Sequence, residues 1–600
     1  MPTAFPAGGE MEEKEKRLLC HSLLTEEPRM EALICRFFEE EDFRRIREHK
    51  TGEGVIGGKA CGLALARKLV QVFLPEWETR LADIRSWYVG TEVYCQVKQG
   101  RPLDKFREDF ARILDYLGEN GDSPLIVRSS SVMEDGFENS FFGKYESVFC
   151  ANQGNQEERL EELLAAVQKV YDSVENPEAA DYRRKWHRDG SREQMALLIQ
   201  NAAGSRVGNW FFPAAAGMGC SYNPYKWMEH LNPEAGMLRV VMGLGTRAVT
   251  RTPGDYPRLV GLDCAGGSIW GTSAERHKFS QRMADVIDME KKEVCTLPLE
   301  QLLDKLPEPY RNLELNRDRE AEERLRQRRI YRKIWFADCQ GLVEKRDFIR
   351  MMKQLLKKLE EVYGQPVDIE FAVTADKEQD WRVTLLQCRP LRMDPSEHIR
   401  IPRGVDEEFL FDVRRTSMRR SRIQKLDYIV WTDPQKYYEC PYRKKPETGR
   451  IIRDINEYLG KREASALLLV PGRIGTSSPE LGVPLVYGDI SSFDAICEVA
   501  YSEAGYRPEL SYGSHMFQNL VEADVYYGAI NENSKTRIYR PRMLEQYPQV
   551  PPEAYTAAEG EALETVRVFD VREYRASLLL DAAEGRAVCR IQGRNEKKEK

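Results

Sequence analysis

The sequence has no CxxC pair: its thirteen cysteines are scattered singly through 600 residues, and an odd total in that arrangement excludes a disulfide framework and a thiolate zinc site. A reducing cytoplasm is the compartment that fits such cysteine usage. No stretch approaches the roughly 18 consecutive apolar residues of a membrane span. Met1 to Glu40 has no apolar run of the signal-peptide kind either, so a soluble, cytoplasmic chain without a membrane partner is expected. Positive charge is not in excess: 90 Lys+Arg against 97 Asp+Glu gives a formal net charge of −7, which excludes a generally basic nucleic-acid binder. No internal repeat is detected. What the chain has is 42% hydrophobic content with 9 Trp, 27 Tyr and 22 Phe, ample for buried cores and incompatible with wholesale disorder. At roughly 150 residues per domain its length suits three or four domains.

The first fifty residues are dense in charge, with apolar positions spaced for one or two amphipathic helices, and read as an N-terminal extension, 1–50. Residues 51–250 carry mixed elements: a Gly-rich turn, a helix through Leu63 to Val72, and strands at Ser123 to Val127, Met195 to Gln200 and Leu238 to Met242. Residues 251–395 contain a highly charged stretch from Arg317, in which acidic and basic residues interleave as in a solvated helix rich in i,i+4 pairs. A helix at Lys345 to Tyr363 and a hairpin of Pro366 to Val373 with Arg382 to Cys388 follow. Residues 396–600, with Pro/Gly-rich turns, read as a separate C-terminal α/β domain.

Three segments carry candidate chemistry. Gly57-Gly58-Lys59-Ala60-Cys61-Gly62 opens a helix, where small residues let backbone N–H groups approach an oxyanion and a Lys supplies charge. It is not a Walker A loop, because Glu53 and Ala60 stand where that motif needs Gly and Ser/Thr. Ordinary helix punctuation is the plainer alternative. In Leu125-Ile-Val-Arg128-Ser129-Ser130-Ser131-Val-Met-Glu134-Asp135 an apolar strand ends in a guanidinium, three hydroxyls and two carboxylates, a set matched to phosphate oxygens. An N-capped helix start with a surface Arg is its alternative. Ser140-Phe-Phe-Gly143-Lys144 reads as a loop able to cover phosphates. On the hairpin, Asp368 and Glu370 share one strand face, as do Gln387 and Arg389 on the other strand. A symmetric turn near Lys377 would set Gln387 opposite Asp368. Such a face suits Mg²⁺ and a nucleotide phosphate, or, more blandly, a solvent-facing salt bridge. Gly243-Leu-Gly245-Thr-Arg-Ala248 matches a loose dinucleotide fingerprint, but Pro253, Gly254 and Pro257 interrupt the place of its crossover helix.

In this order, and together with Gly217 to Pro224 and the Asp368-Ile-Glu370 and Gln387-Cys-Arg389-Pro390 pair, these segments resemble the N-terminal nucleotide-binding region of the phosphoenolpyruvate synthase and pyruvate phosphate dikinase family over roughly residues 51–395. The resemblance implies an α+β chain with ATP-grasp type nucleotide-binding lobes, and ATP and Mg²⁺ as ligands. It implies that Lys59, Arg128 and Ser129 hold phosphates under a loop containing Gly143. Glu370 and Gln387 would bind Mg²⁺, Asp368 and Arg389 would orient the metal and the transferred phosphoryl group, and adenine would lie beside the strand that ends at Gln200.

The family's swivelling phosphohistidine domain and TIM barrel do not fit in the roughly 205 residues after Pro395, so phosphoenolpyruvate synthesis by this chain alone is not expected. His515, among small polar residues in Ser511-Tyr-Gly513-Ser514-His515, is a candidate phosphoryl acceptor, or a packed histidine. Pro471-Gly-Arg473-Ile-Gly475-Thr is a second candidate oxyanion loop, or a turn. The expected activity is a Mg²⁺-dependent phosphotransfer from ATP to a His or to another acceptor, which the sequence does not name and which includes a partner protein. A non-catalytic ATP sensor and an ATP-grasp ligase are the alternatives. Homo-oligomers are left open.

Overall fold

A computed structural model describes residues 11–118, 123–137, 145–176, 193–223, 232–249, 257–265, 280–375, 381–391, 399, 401–402, 404–414, 421–476, 478–501, 516, 520, 525–531, 535–581 and 584–594. The architecture is α+β, in two compact units that divide between residues 393 and 394.

In the first unit the N-terminal segment forms three helices, Glu13–Leu23, Pro28–Phe37 and Glu40–Glu48, where one or two were expected. Local chemistry makes the breaks. Pro28 sits at the start of the second helix, where its missing N–H costs nothing, and the Glu27 carboxylate accepts from Met30 N–H. Glu39 and Asp42 form a reciprocal capping box on the third. Their buried faces, including Leu24, Ile34, Phe38 and Phe43, join one core with Leu65 and Leu69 of the helix Gly58–Phe73. The helix Arg346–Tyr363 adds Phe348, Met352, Leu355 and Leu359 at i, i+4, i+7 and i+11 to that core, each worth roughly 1.5–3 kcal/mol when fully buried.

Two sheets frame the site. One has five strands in the order Lys50–Thr51, Ser86–Val89, Met195–Asn201, Leu125–Ser131 and Ser147–Cys150. Alternation along Met195–Asn201 sends Met195, Leu197 and Ile199 into a second core built with the helices Arg107–Gly118 and Gln156–Asp172, while Leu198 joins the first core on the other face. The second sheet has six strands: Arg258–Gly261, Met237–Met242, Ala215–Cys220, Val367–Ala375, Trp381–Pro390 and Leu81–Ala82. It takes strands from both sides of residue 250, so a lobe boundary drawn there does not follow the sheets. Met237–Met242 pairs antiparallel with both neighbours and runs into the four-residue helix Thr246–Val249. This is not a Rossmann βαβ crossover.

The charged segment is the helix Arg319–Gln327, with Arg324–Glu320 and Arg326–Glu323 ion pairs at its surface. The second unit contains four parallel strands in chain order, Tyr428–Thr432, Ala466–Pro471, Ala495–Val499 and Tyr526–Ile530, with Val566–Asp570 antiparallel at one edge. A separate antiparallel sheet of five strands completes it. Among the described residues no cysteine is in a disulfide. Among the described residues no helix is long and apolar enough to cross a membrane.

Candidate functional site

The Gly-rich turn does its work by close approach. Gly57 adopts φ +79°, and a Cβ there would lie 1.7 Å from the Ser130 carbonyl oxygen; one on Gly58 would meet the Glu134 carbonyl oxygen at 1.8 Å, and one on Gly62 the Cys388 carbonyl oxygen at 2.3 Å. The missing side chains therefore let the helix Gly58–Phe73 press against the strand Leu125–Ser131 and the hairpin strand Trp381–Pro390. The Ala60 N–H donates to Ser130 Oγ at 3.0 Å, and that hydroxyl donates to the Ile56 carbonyl at 2.7 Å. This helix start is thus partly capped from within, whereas the sequence suggested that its N–H groups were held for an oxyanion. Lys59 follows on the next position, buried, its Nζ 3.2 Å from Ser129 Oγ and 3.3 Å from Glu134 Oε1.

The strand expected to stop at Val127 continues to Ser131, so Arg128 and the three serines are strand residues, not a loop after one. Arg128 Nη1 donates to the Leu386 carbonyl at 2.7 Å, and Nη2 donates to Gln387 Oε1 at 2.8 Å and to Glu370 Oε2. Gln387 passes the connection on, its Nε2 donating to Asp135 Oδ2 at 2.6 Å. Arg389 grips Asp368 with two bonds of 2.6 Å. One carboxamide, two guanidiniums and three carboxylates thus form a nearly continuous cluster.

The hairpin register differs from the expected one. Asp368 stands opposite Arg389 and Glu370 opposite Gln387, and a bulge then lets Phe371 pair with Leu385. Leu386 is the extra residue, and its carbonyl is the one Arg128 uses. Asp368, Glu370, Gln387 and Arg389 still share a face, as period two requires, because the bulge lies beyond them.

Burial and partners set the charge states. Burial alone would raise the Glu370 carboxyl, but Arg128, Arg389 and Lys59 outweigh it and hold the group below the usual carboxylate range. For Asp368 and Asp135 burial wins over the attraction of Arg389, and both are raised. Asp135 is pushed up to about 6, and it is also held at φ +54°. The sequence reading had Asp135 and Glu134 in its motif without giving them a part in the site. Their position three and four residues after a strand-end serine was the available signal.

Lys59, Arg128, Glu134, Asp135, Glu370 and Gln387 line a cleft of about 610 Å³ that takes residues from both sheets. The lining also includes the apolar Ile126, Phe149, Ala202, Pro213 and Phe371. Gln200 is also among the lining residues; its Nε2 donates to Ser86 Oγ at 2.8 Å, and its Oε1 has no hydrogen-bond partner among the described residues. Leu244, Gly245 and Thr246 also line the cleft, so part of the segment that fails as a dinucleotide fingerprint still faces it. The Glu370 and Gln387 oxygens converge on one nitrogen, so they are placed to share a hard cation. Among the described residues no group of three or more His, Cys, Asp or Glu side chains forms a metal site unaided. Gly143 with its loop, and His515, lie outside the described residues. In the loop after Ala466–Pro471, Gly472 and Gly475 adopt positive φ, while Ile474 N–H donates to the buried Glu498 at 2.8 Å. That carboxylate takes one of the N–H groups an oxyanion would need.

The sequence matches the family described as pyruvate phosphate dikinase, AMP/ATP-binding domain, over residues 84–407. No curated protein matches it.

Proposed function

The chain belongs to the pyruvate phosphate dikinase AMP/ATP-binding domain family, with more than half its length in the match, and on that premise we propose that the cleft binds ATP with Mg²⁺ between ATP-grasp type lobes and transfers a phosphoryl group from it. The observation that carries this reading is the convergence of Arg128, Glu370, Gln387 and Asp135 on the wall of a cleft that also has apolar lining. A purine suits the apolar residues of its lining. Phosphates suit the polar cluster, where Lys59 and Arg128 supply charge and donors.

The charge balance supports a metal. Lys59, Arg128 and Arg389 face Glu134, Asp135, Asp368 and Glu370, three cations against four carboxylates, so a triphosphate needs additional positive charge to enter. Glu370 Oε2 and Gln387 Oε1 would hold Mg²⁺, which when bound neutralises and orients the phosphate oxygens. Arg128 now satisfies both oxygens. Its turn toward a phosphate would release them together, so nucleotide and metal would be taken up in concert. Ser129 and Glu134 steady the Lys59 ammonium, and Asp368 keeps the Arg389 guanidinium in one orientation for the transferred group. Phosphoryl transfer asks for this positioning and charge neutralisation more than for a covalent side-chain intermediate in the cleft.

The acceptor we propose is a histidine, with His515 the candidate in this chain: ATP, water and the imidazole give phosphohistidine, AMP and phosphate. The test uses the full chain with Mg²⁺ and ATP labelled separately at the β and γ phosphates. Acid-labile β label on the protein with release of AMP, lost in His515→Ala, is the expected result. ADP without bound label would replace it with a kinase or ligase reaction on another acceptor. Stoichiometric ATP binding without turnover would leave only a nucleotide sensor.

A further inference from the structure

Asp135 reaches the cleft from a tight turn after the strand Leu125–Ser131, in which the Glu134 N–H donates to the Ser131 carbonyl at 3.1 Å. Its backbone is left-handed, at φ +54°, a conformation that Asp and Asn adopt more readily than other side chains. The residue is 4% exposed. Its Oδ2 accepts from Gln387 Nε2 at 2.6 Å, while Oδ1 lies 3.9 Å from Arg389 Nη1.

A carboxamide can be turned either way round, with its oxygen accepting and its nitrogen donating. The neighbours of Gln387 decide between the two. Arg128 on one side can only donate, and the Asp135 carboxylate on the other can only accept, so the oxygen faces Arg128 and the nitrogen faces Asp135. That oxygen is the atom proposed above as a ligand of Mg²⁺. Reversed, the amide would present N–H groups to a hard cation that takes oxygen ligands. Arg128 cannot keep the amide in place during binding, because its guanidinium is the group proposed to turn toward a phosphate. The bond from Gln387 to Asp135 lies on the other nitrogen-bearing side and does not depend on that movement.

We propose that Asp135 is a positioning residue: it holds the Gln387 carboxamide with its oxygen toward the metal, so that Gln387 can bind Mg²⁺ once Arg128 has turned away. This role rests on the reading of the cleft as a Mg²⁺ and nucleotide site. Removing a group that orients a metal ligand in this way costs about 10- to 100-fold in metal affinity.

The test measures metal retention apart from turnover. The full chain is dialysed to equilibrium against Mn²⁺ with the α,β-methylene analogue of ATP on both sides, in which the bridge broken to release AMP is carbon. Asp135→Gly, which removes the carboxylate and suits the left-handed backbone, should weaken Mn²⁺ retention by about tenfold or more. Asp135→Ser, whose hydroxyl stops one bond short of the carboxylate oxygens, serves in place of a Gly variant that fails to fold. Asp135→Asn keeps an oxygen for Nε2 and should stay within about threefold of the wild type. In a Gln387→Met background Asp135→Gly should have no further effect, because no amide is left to orient. With ATP, Asp135→Gly should need about tenfold more Mg²⁺ for half its maximal turnover, with that maximum within about threefold of the wild type.

Unchanged retention in Asp135→Gly, a loss in Asp135→Asn as large as in Asp135→Gly, or an equal further loss in the Gln387→Met background overturns the role. So does a fall in maximal turnover that added Mg²⁺ does not relieve. A wild-type chain that retains no Mn²⁺ overturns the metal reading of the cleft and this role with it, whereas wild-type retention that no Asp135 variant alters overturns the role alone.

Discussion

The helix Arg319–Gln327 and the polar cluster of the cleft are built from the same residue types and have opposite energetics. On the helix, Arg324 and Glu320 approach to 3.3 Å with both side chains more than two-thirds exposed. In the cleft, Arg389 and Asp368 approach to 2.6 Å with side chains 8% and 4% exposed. Water screens the first pair, so making or breaking it changes little. The second pair has given up its hydration, and neither member can be removed without stranding the other. Charge in a sequence is therefore informative about function only once burial is known.

The largest difference between the two regions should appear in turnover. Arg128→Ala or Glu370→Ala is expected to lower nucleotide turnover by about 10²-fold or more, read by product release from labelled ATP, with the far-ultraviolet dichroism of the wild type retained. Wild-type turnover in either variant would remove these residues from the proposed chemistry. Next, Arg389→Ala should cost about 3–5 kcal/mol in denaturant unfolding, because Asp368 is left buried without its partner. A loss below about 1 kcal/mol would mean that the pair is as well solvated as the helix pairs.

A buried acid without a cation sharpens the contrast. Glu314 is fully buried, accepts from Cys339 Sγ at 3.0 Å, and is pushed up to about 8 by burial. Its folded value lies above the unfolded one. Its contribution is therefore fully present below pH 4.5 and is lost as the pH rises through about 8. Glu314→Gln should flatten the stability profile between those limits and be the more stable protein at alkaline pH, by on the order of 4 kcal/mol at most. Identical profiles for the two would show the carboxyl to be solvated. Smallest of all, Arg324→Ala and Arg326→Ala should each change unfolding free energy by less than about 0.5 kcal/mol.

How much of this could be read from the chain depended on whether the controlling interaction is local. Period-two spacing put Asp368, Glu370, Gln387 and Arg389 on one face, and the structure brings them to Arg128. The pairing of the strands was not legible. A symmetric turn sets Gln387 opposite Asp368, and nothing in Leu385-Leu386-Gln387 announces a bulge, whose carbonyl is met by the Arg128 guanidinium 258 positions away. Gly57, Gly58 and Gly62 were read for what they would let a phosphate do, when their contacts are main chain from distant segments. The three N-terminal helices were underestimated because Glu27-Pro28 and the Glu39 to Asp42 box interrupt a continuous charged pattern.

The bulge at Leu386 also gives main chain a part in the site. On the turn-distal side, Gln387 and Arg389 stand opposite Glu370 and Asp368 because Leu386 is left unpaired in the ladder. Changing the side chain at 386 leaves the carbonyl that receives Arg128 untouched. Deleting the residue would instead regularise the ladder, with Gln387 following Leu385 directly and still opposite Glu370, and would remove the carbonyl that Arg128 uses. The chain at this point should thus be indifferent to what the residue is and intolerant of whether it is there.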